Sequence, residues 1–196
     1  MPELPEAETI VRGLRPYVEG RRIAGAEFFA RRVSPDAAEV LAGERIAAVR
    51  RYGKQVLLVL ESGASILIKL GMTGALLWNG EPGPYTRARL DFEGGGVLLF
   101  DDIRQFGSLR LVREPPGGLG PDPFEIAGED FGARLRSRNT EAKRALLDQS
   151  LVRGLGNIYT DEALFRAGIH PRARTRRLSM ARRSEERRVG KECRSR

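Results

Sequence analysis

Pro2, Glu3 and Glu6 open the chain within Met1-Pro2-Glu3-Leu4-Pro5-Glu6-Ala7-Glu8, and together they offer a nucleophile with two proton carriers. The small ring of Pro2 favours removal of Met1, which would leave Pro2 as a free amino terminus. An α-amino group has a pKa of about 7.7–8.0, against about 10.4 for lysine, so a useful fraction is unprotonated at neutral pH. Proline's amine is secondary. Its attack on an aldehyde carbon gives an iminium ion, which is cationic without a proton and withdraws electrons from a neighbouring C–H bond. Glu3 and Glu6 share one face of any helix that begins here. The competing structural reading is a helix start, where Pro and Glu are favoured by the missing N–H and by the helix dipole.

These residues need elements to position them, and 196 residues supply one or two domains with a core. No apolar run reaches the roughly 18 residues of a membrane span. Three glutamates occupy the place of a basic signal-peptide region, so a cytoplasmic, nucleoid-associated bacterial protein is expected. The single cysteine, Cys193, permits neither an internal disulfide nor a cysteine zinc site. The formal charge of +8 points to nucleic acid. Residues 172–196 hold eleven Lys and Arg against three Glu, which leaves 23 basic and 23 acidic residues in the first 171. Any DNA contact by the body must come from placed side chains and not from a general field.

Helical spacing of Ile10, Val11, Leu14 and Val18 predicts a helix from Glu3 to Val18, stopped by Gly20. A strand is expected over Phe28–Val33. Ser34-Pro35-Asp36 forms a turn before a short amphipathic piece, Ala37–Ala42. Strand patterns follow at Arg45–Tyr52, Gln55–Leu60, Ser65–Leu70, Gly74–Trp78, Ala88–Phe92, Val97–Phe100 and Ser108–Val112, separated by turn residues such as Asn79-Gly80 and Gly94-Gly95-Gly96. Many short strands at regular spacing imply an antiparallel sandwich or flattened barrel. The sequence therefore reads as an α+β chain: a β-sandwich domain at 1–114, a Pro/Gly-rich linker at 115–124, and helices in 125–181. Phe131–Ser137 and Thr140–Val152 read as helices. A third helix is capped by Asn157 after the Gly154-Leu155-Gly156 turn and stops at Gly168.

Lys54, in Arg51-Tyr52-Gly53-Lys54-Gln55, precedes an apolar strand. Gly71-Met72-Thr73-Gly74 puts a large apolar side chain on a glycine-flanked loop. Arg104 and Phe106 are two residues apart and point the same way if extended. Each signal is weak alone, since a solvated Lys, a core Met and a cross-strand cluster are the ordinary alternatives. Together with Pro2-Glu3-Leu4-Pro5-Glu6 and the long run Leu146-Leu147-Asp148-Gln149…Gly156-Asn157-Ile158-Tyr159…Asp161-Glu162-Ala163-Leu164-Phe165…Gly168-Ile169-His170-Pro171, they carry a resemblance. From residue 1 to about 180 the chain resembles formamidopyrimidine-DNA glycosylases, whose sibling family is endonuclease VIII.

That resemblance implies an N-terminal β-sandwich and a helix–two-turn–helix domain. Pro2 would attack C1′ of a damaged nucleotide. Glu3 would be the general acid/base that opens the deoxyribose ring, Glu6 would support the helix start and a water, and Lys54 would contact phosphate. Met72, Arg104 and Phe106 would fill the gap left by an extruded base. Asn157, at a helix N-terminus, would hold phosphate, and Lys143 would add charge to the same strand. Tyr85 and Asn139 lie where phosphate-contacting His and Lys are often found. Gln105 replaces a frequent second Arg, and Lys69 a common His.

The expected partner is double-stranded DNA with an oxidised base or an abasic site, and the expected state a monomer. The family continues into a lesion-reading loop and a four-cysteine zinc finger that this sequence lacks, so no cofactor or metal is expected. Residues 182–196 match nothing in the family, and they read as a disordered, foreign tail on a truncated chain. The activity implied is a bifunctional glycosylase and AP lyase for oxidised purines. The alternatives are a damaged-DNA-binding fragment with residual lyase activity, or an endonuclease VIII-like enzyme for oxidised pyrimidines.

Overall fold

A computed structural model describes residues 2–30 and 38–178, with side chains of 38 and 39 left aside. The chain divides into two compact units, Met1–Pro115 and the remainder from Pro116.

The first unit begins with α1 (Leu4–Val18), which turns Leu4, Ala7, Val11, Leu14 and Val18 inward. Gly20, at φ 78°, releases the chain into β1 (Ile23–Phe28). After the four-residue α2 (Ala38–Leu41) come β2 (Ile46–Tyr52), β3 (Gln55–Leu60), β4 (Ser65–Lys69), β5 (Gly74–Trp78), β6 (Thr86–Phe92), β7 (Val97–Asp102) and β8 (Ser108–Val112). They form two four-stranded antiparallel sheets, ordered β1-β6-β7-β5 and β2-β3-β4-β8. One apolar cluster joins Ile23, Leu90 and Phe100 of the first sheet, Val49, Leu58 and Ile68 of the second, and Val11, Leu14 and Val18 of α1. The sandwich expected from turn spacing is the observed architecture.

The expected strand at Phe28–Val33 is corrected. The strand runs from Ile23 to Phe28 and pairs with β6, while 31–33 lie outside the described residues. Ile-Ala-Gly-Ala-Glu-Phe has little β-branched or aromatic character, so pairing and not propensity makes it a strand.

The second unit holds α3 (Gly128–Ser137), α4 (Ala142–Leu147), α5 (Asn157–Arg166) and a 3₁₀ turn at Thr175–Arg177. Its core comprises Leu135, Ala142, Ala145, Leu146, Leu151, Leu164, Ala167, Ile169 and Leu178. The helix expected over Thr140–Val152 stops instead at Leu147. Asp148 leaves helical geometry (φ −71°, ψ 106°), and its carboxylate accepts from the Ser150 N–H at 2.9 Å and the Ser150 hydroxyl at 2.7 Å. Such Asx turns compete with the helix ladder. Leu151 and Val152 are buried by the turn that results, not by a helix face. The tail at 182–196 lies outside the described residues. Among those that are described, no helix is long and apolar enough to cross a membrane.

Candidate active site and nucleic-acid interface

The first two glutamates are locked to each other, each carboxylate on the other's backbone N–H. Glu3 is the N-cap of α1, and its backbone N–H donates to Glu6 Oε2 at 2.9 Å; the Glu3 side chain accepts from the backbone of Glu6 in return. This reciprocal capping box satisfies amides that the helix leaves orphaned. It also fixes the carboxylate of Glu3, which is 4% exposed, beside half-buried Pro2. Glu6 remains exposed.

Lys54 reaches the same neighbourhood from the β2–β3 turn. Burial of its ammonium lowers its pKa below the usual lysine value, and the opposite charge of Glu3 pulls the other way. The turn is tied to α1 by Arg51, whose guanidinium donates to Glu8 Oε2 at 3.0 Å and to the Gly53 carbonyl at 3.3 Å. A secondary amine position, a fixed carboxylate and a partly desolvated cation are thus gathered at one end of one helix. Such groups can attack an electrophilic carbon, move a proton and neutralise an anion.

The second cluster lies on two loops. Met72 is 53% exposed and Phe106 48% exposed. The Arg104 guanidinium joins them, with Nη1 at 3.3 Å from Met72 Sδ and Cζ at 4.7 Å from the Phe106 ring centre. Residues from two distant loops therefore present one apolar face with an embedded cation. Gln105 between them takes φ 54°, a left-handed conformation and not the extended one that would point its two neighbours the same way, yet Arg104 still stacks over Phe106. Two residues that spacing did not mark hold these loops: the Thr73 hydroxyl donates to the Asp102 carboxylate, and Gly107 N–H donates to the same carboxylate at 2.7 Å. The sequence signal existed, in a threonine between the glycines of one loop and an aspartate ahead of the other. Nothing local pairs positions 73 and 102. Tyr85 is exposed, and its carbonyl accepts from Asp102 N–H at 2.9 Å.

In the second unit, Asn157 is not the cap of α5. Gly156 is the N-cap, in extended conformation, and Asn157 is the first helical residue, exposed at that terminus. Cap preference favours Asn over Gly, but a side chain at the cap is replaced here by a turn built from behind. Gln149 Nε2 donates to the Leu147 carbonyl at 3.1 Å and the Leu155 carbonyl at 2.8 Å. Its Oε1 accepts from Gly154 N–H at 2.9 Å. Lys143 pairs with Asp161 of α5 at 2.8 Å. Asn139 is exposed at φ 44°, just past the end of α3. Among the described residues no group of three or more His, Cys, Asp or Glu side chains could hold a metal ion.

A two-sheet sandwich headed by a capped helix, followed along the chain by helices α4 and α5 that are connected to each other through tight turns, defines the class of helix–two-turn–helix DNA glycosylases. Residues 1–109 match the formamidopyrimidine-DNA glycosylase N-terminal domain, and residues 119–187 match the H2TH domain of the same enzymes. A formamidopyrimidine-DNA glycosylase of Solibacter usitatus is 52% identical over 190 residues, covering 93% of this chain and 71% of that protein. Another from Paracoccus denitrificans is 44% identical, covering 88% and 69%. The crystal structure of the MutM (Fpg) protein from Thermus thermophilus superposes with a TM-score of 0.86 at 39% identity, over 97% of this chain and 74% of that one. Lactococcus lactis Fpg, non-covalently bound to DNA containing an AP site, gives 0.85 at 29% identity, over 95% and 77%. The chain belongs to the formamidopyrimidine-DNA glycosylase family.

Proposed function

We propose that this chain is a bifunctional DNA glycosylase and AP lyase that removes oxidised bases from double-stranded DNA through Pro2. The carrying observation is the amino-terminal arrangement: a buried Glu3, its carboxylate held by the Glu6 backbone, beside Pro2, with the partly desolvated Lys54 in its field. With Met1 removed, the lone pair of the Pro2 nitrogen forms a bond to C1′. The C1′–base bond breaks, and the base leaves with its electron pair and takes up a proton. Glu3 protonates the ring oxygen as the sugar opens, giving an iminium ion between Pro2 and C1′. That cation acidifies C2′–H, and loss of the proton expels the 3′ phosphate in β-elimination. Water then hydrolyses the iminium. Lys54, and the backbone N–H groups at the start of α5 with Asn157, hold phosphates. Met72, Arg104 and Phe106 enter the stack where the damaged base has left. The purine branch is favoured, because these three wedge residues follow its pattern. Structures of the Lactococcus lactis relative with AP-site DNA and with Fapy-dG-containing DNA support the same substrate class.

Borohydride trapping on a duplex with one abasic site tests the chemistry. A covalent protein–DNA adduct is expected, and it should vanish when a residue is added ahead of Pro2. Mass spectrometry of the purified chain should find Met1 gone. Folded protein with a free Pro2 amine and no adduct would overturn the proposal.

A further inference from the structure

Resting on the wedge role proposed above, we propose that Asp102 is the positioning residue that makes Met72, Arg104 and Phe106 act as one wedge. Asp102 is fully buried. Such a carboxylate persists only where its oxygens are satisfied, and here both face the two wedge loops. One accepts from the Thr73 hydroxyl, next to Met72. The other accepts from Gly107 N–H, next to Phe106. Thr73 Oγ1 in turn accepts from Arg104 N–H at 3.1 Å, so one carboxylate and one hydroxyl order all three wedge positions. Asp102 itself stands on rigid ground. It ends β7, pairs with Gly74 of β5, donates its N–H to the Tyr85 carbonyl and accepts from Arg87 Nε at 2.9 Å through its own carbonyl. The loops also lie against each other: a Cβ on Gly71 would meet Gly107 N at 2.8 Å, and one on Gly107 would meet the Lys69 carbonyl at 2.6 Å. No alkyl side chain at position 102 can replace two acceptors aimed at two loops. An asparagine can, because its amide oxygen still accepts from Gly107 and its NH₂ can donate to the threonine oxygen once that hydroxyl turns away.

The experiment compares the full chain with Asp102→Ala, Asp102→Asn, Thr73→Val and, for the wedge itself, Met72→Ala. Two quantities are read: the single-turnover rate of 8-oxoguanine excision from a duplex, and borohydride trapping on a single-stranded abasic oligonucleotide, where no base must be extruded. Asp102→Ala and Thr73→Val should slow duplex excision by about tenfold or more, as expected for wedge groups displaced by an ångström. Trapping on the single strand should stay within about twofold, and Asp102→Asn should restore duplex excision to within about threefold, the span of one modest hydrogen bond. A uniform loss of both readouts would mark a merely structural role and overturn the proposal. Thr73→Val removes a hydroxyl and leaves the buried carboxylate of Asp102 in place, so it decides the matter if Asp102→Ala does not fold. If Met72→Ala slows duplex excision while folded Asp102→Ala and Thr73→Val do not, the wedge stands and Asp102 does not organise it. If Met72→Ala leaves duplex excision unchanged, the wedge role itself fails and the proposal with it.

Discussion

Replacing Gln149 should loosen the turn that presents the start of α5. Its amide makes three hydrogen bonds to backbone groups of residues 147, 154 and 155, at 3.1, 2.9 and 2.8 Å. Each is worth about 0.5–1.5 kcal/mol net. Three such bonds, discounted for partial exposure of the side chain, make Gln149→Ala cost about 2–3 kcal/mol in the second unit. For a unit of this size that lowers its melting temperature by roughly 10 °C or more. Affinity for an abasic-site duplex should fall on the order of tenfold, since one misplaced phosphate-directed N–H is worth about that much. Gln149→Glu is the sharper variant. It keeps an oxygen for Gly154 N–H but turns a carboxylate oxygen toward two carbonyls that need donors. It should therefore be at least as damaging as alanine, even though only one group changes. Calorimetry of the full chain and fluorescence anisotropy with labelled duplex measure the two effects. If Gln149→Glu melts within about 1 °C of the parent and binds equally, the amide donors do not build the turn.

Lys54 is a cation below its lowered pKa and neutral above it, with burial as the main cause of the lowering. DNA affinity should therefore fall on the alkaline side at a pH below the roughly 10.4 of free lysine, and Lys54→Arg should move that fall upward in an anisotropy titration. Burial acts to raise the pKa of Glu8, but hydrogen bonds from Arg12 and Arg51 outweigh it and hold the group below 4.5. Its stabilisation is complete above the unfolded value and lost as pH falls through the folded one. Glu8→Gln should cost about 1–2 kcal/mol near pH 7 in urea unfolding, and the gap should close in acid; a pH-independent gap refutes the pairing. A Cβ on Gly74 would stand 2.1 Å from the Leu70 carbonyl, whereas one on Gly83 meets nothing within 4 Å. Gly74→Ala should lose about 3 kcal/mol by overpacking, and Gly83→Ala should stay within about 0.5 kcal/mol. Equal effects would mean that the loop relaxes freely.

Local patterning carried much of the architecture. Short strand patterns bounded by turn residues marked seven of the eight described strands, three of them (β3, β5 and β8) to the residue, and helical spacing marked α1. These signals are legible because each element's burial is imposed residue by residue along its own stretch. The motif residues at Pro2-Glu3-Leu4-Pro5-Glu6 and in the run from Leu146 to Pro171 were enough for the family. What the sequence did not disclose depended on partners far along the chain or on competition within a turn. The Ile23–Phe28 strand exists because β6 pairs with it. Leu147 ends a helix because Asp148 and Ser150 offer the backbone an alternative set of hydrogen bonds. Gly156 serves as a cap because Gln149 has already shaped the turn before it.

At the level of the site, residue types alone suggested the proposed chemistry, through a secondary amine, two carboxylates and a lysine. Only the tertiary structure decided that Glu3 is buried and held by Glu6, that Lys54 lies in its field, and that Met72 touches Arg104 over Phe106. Spacing fixes which way neighbouring side chains point, but bringing position 73 to position 102 takes the pairing of β5 with β7 in one sheet, the register that sets Gly74 opposite Asp102, and a fully buried carboxylate.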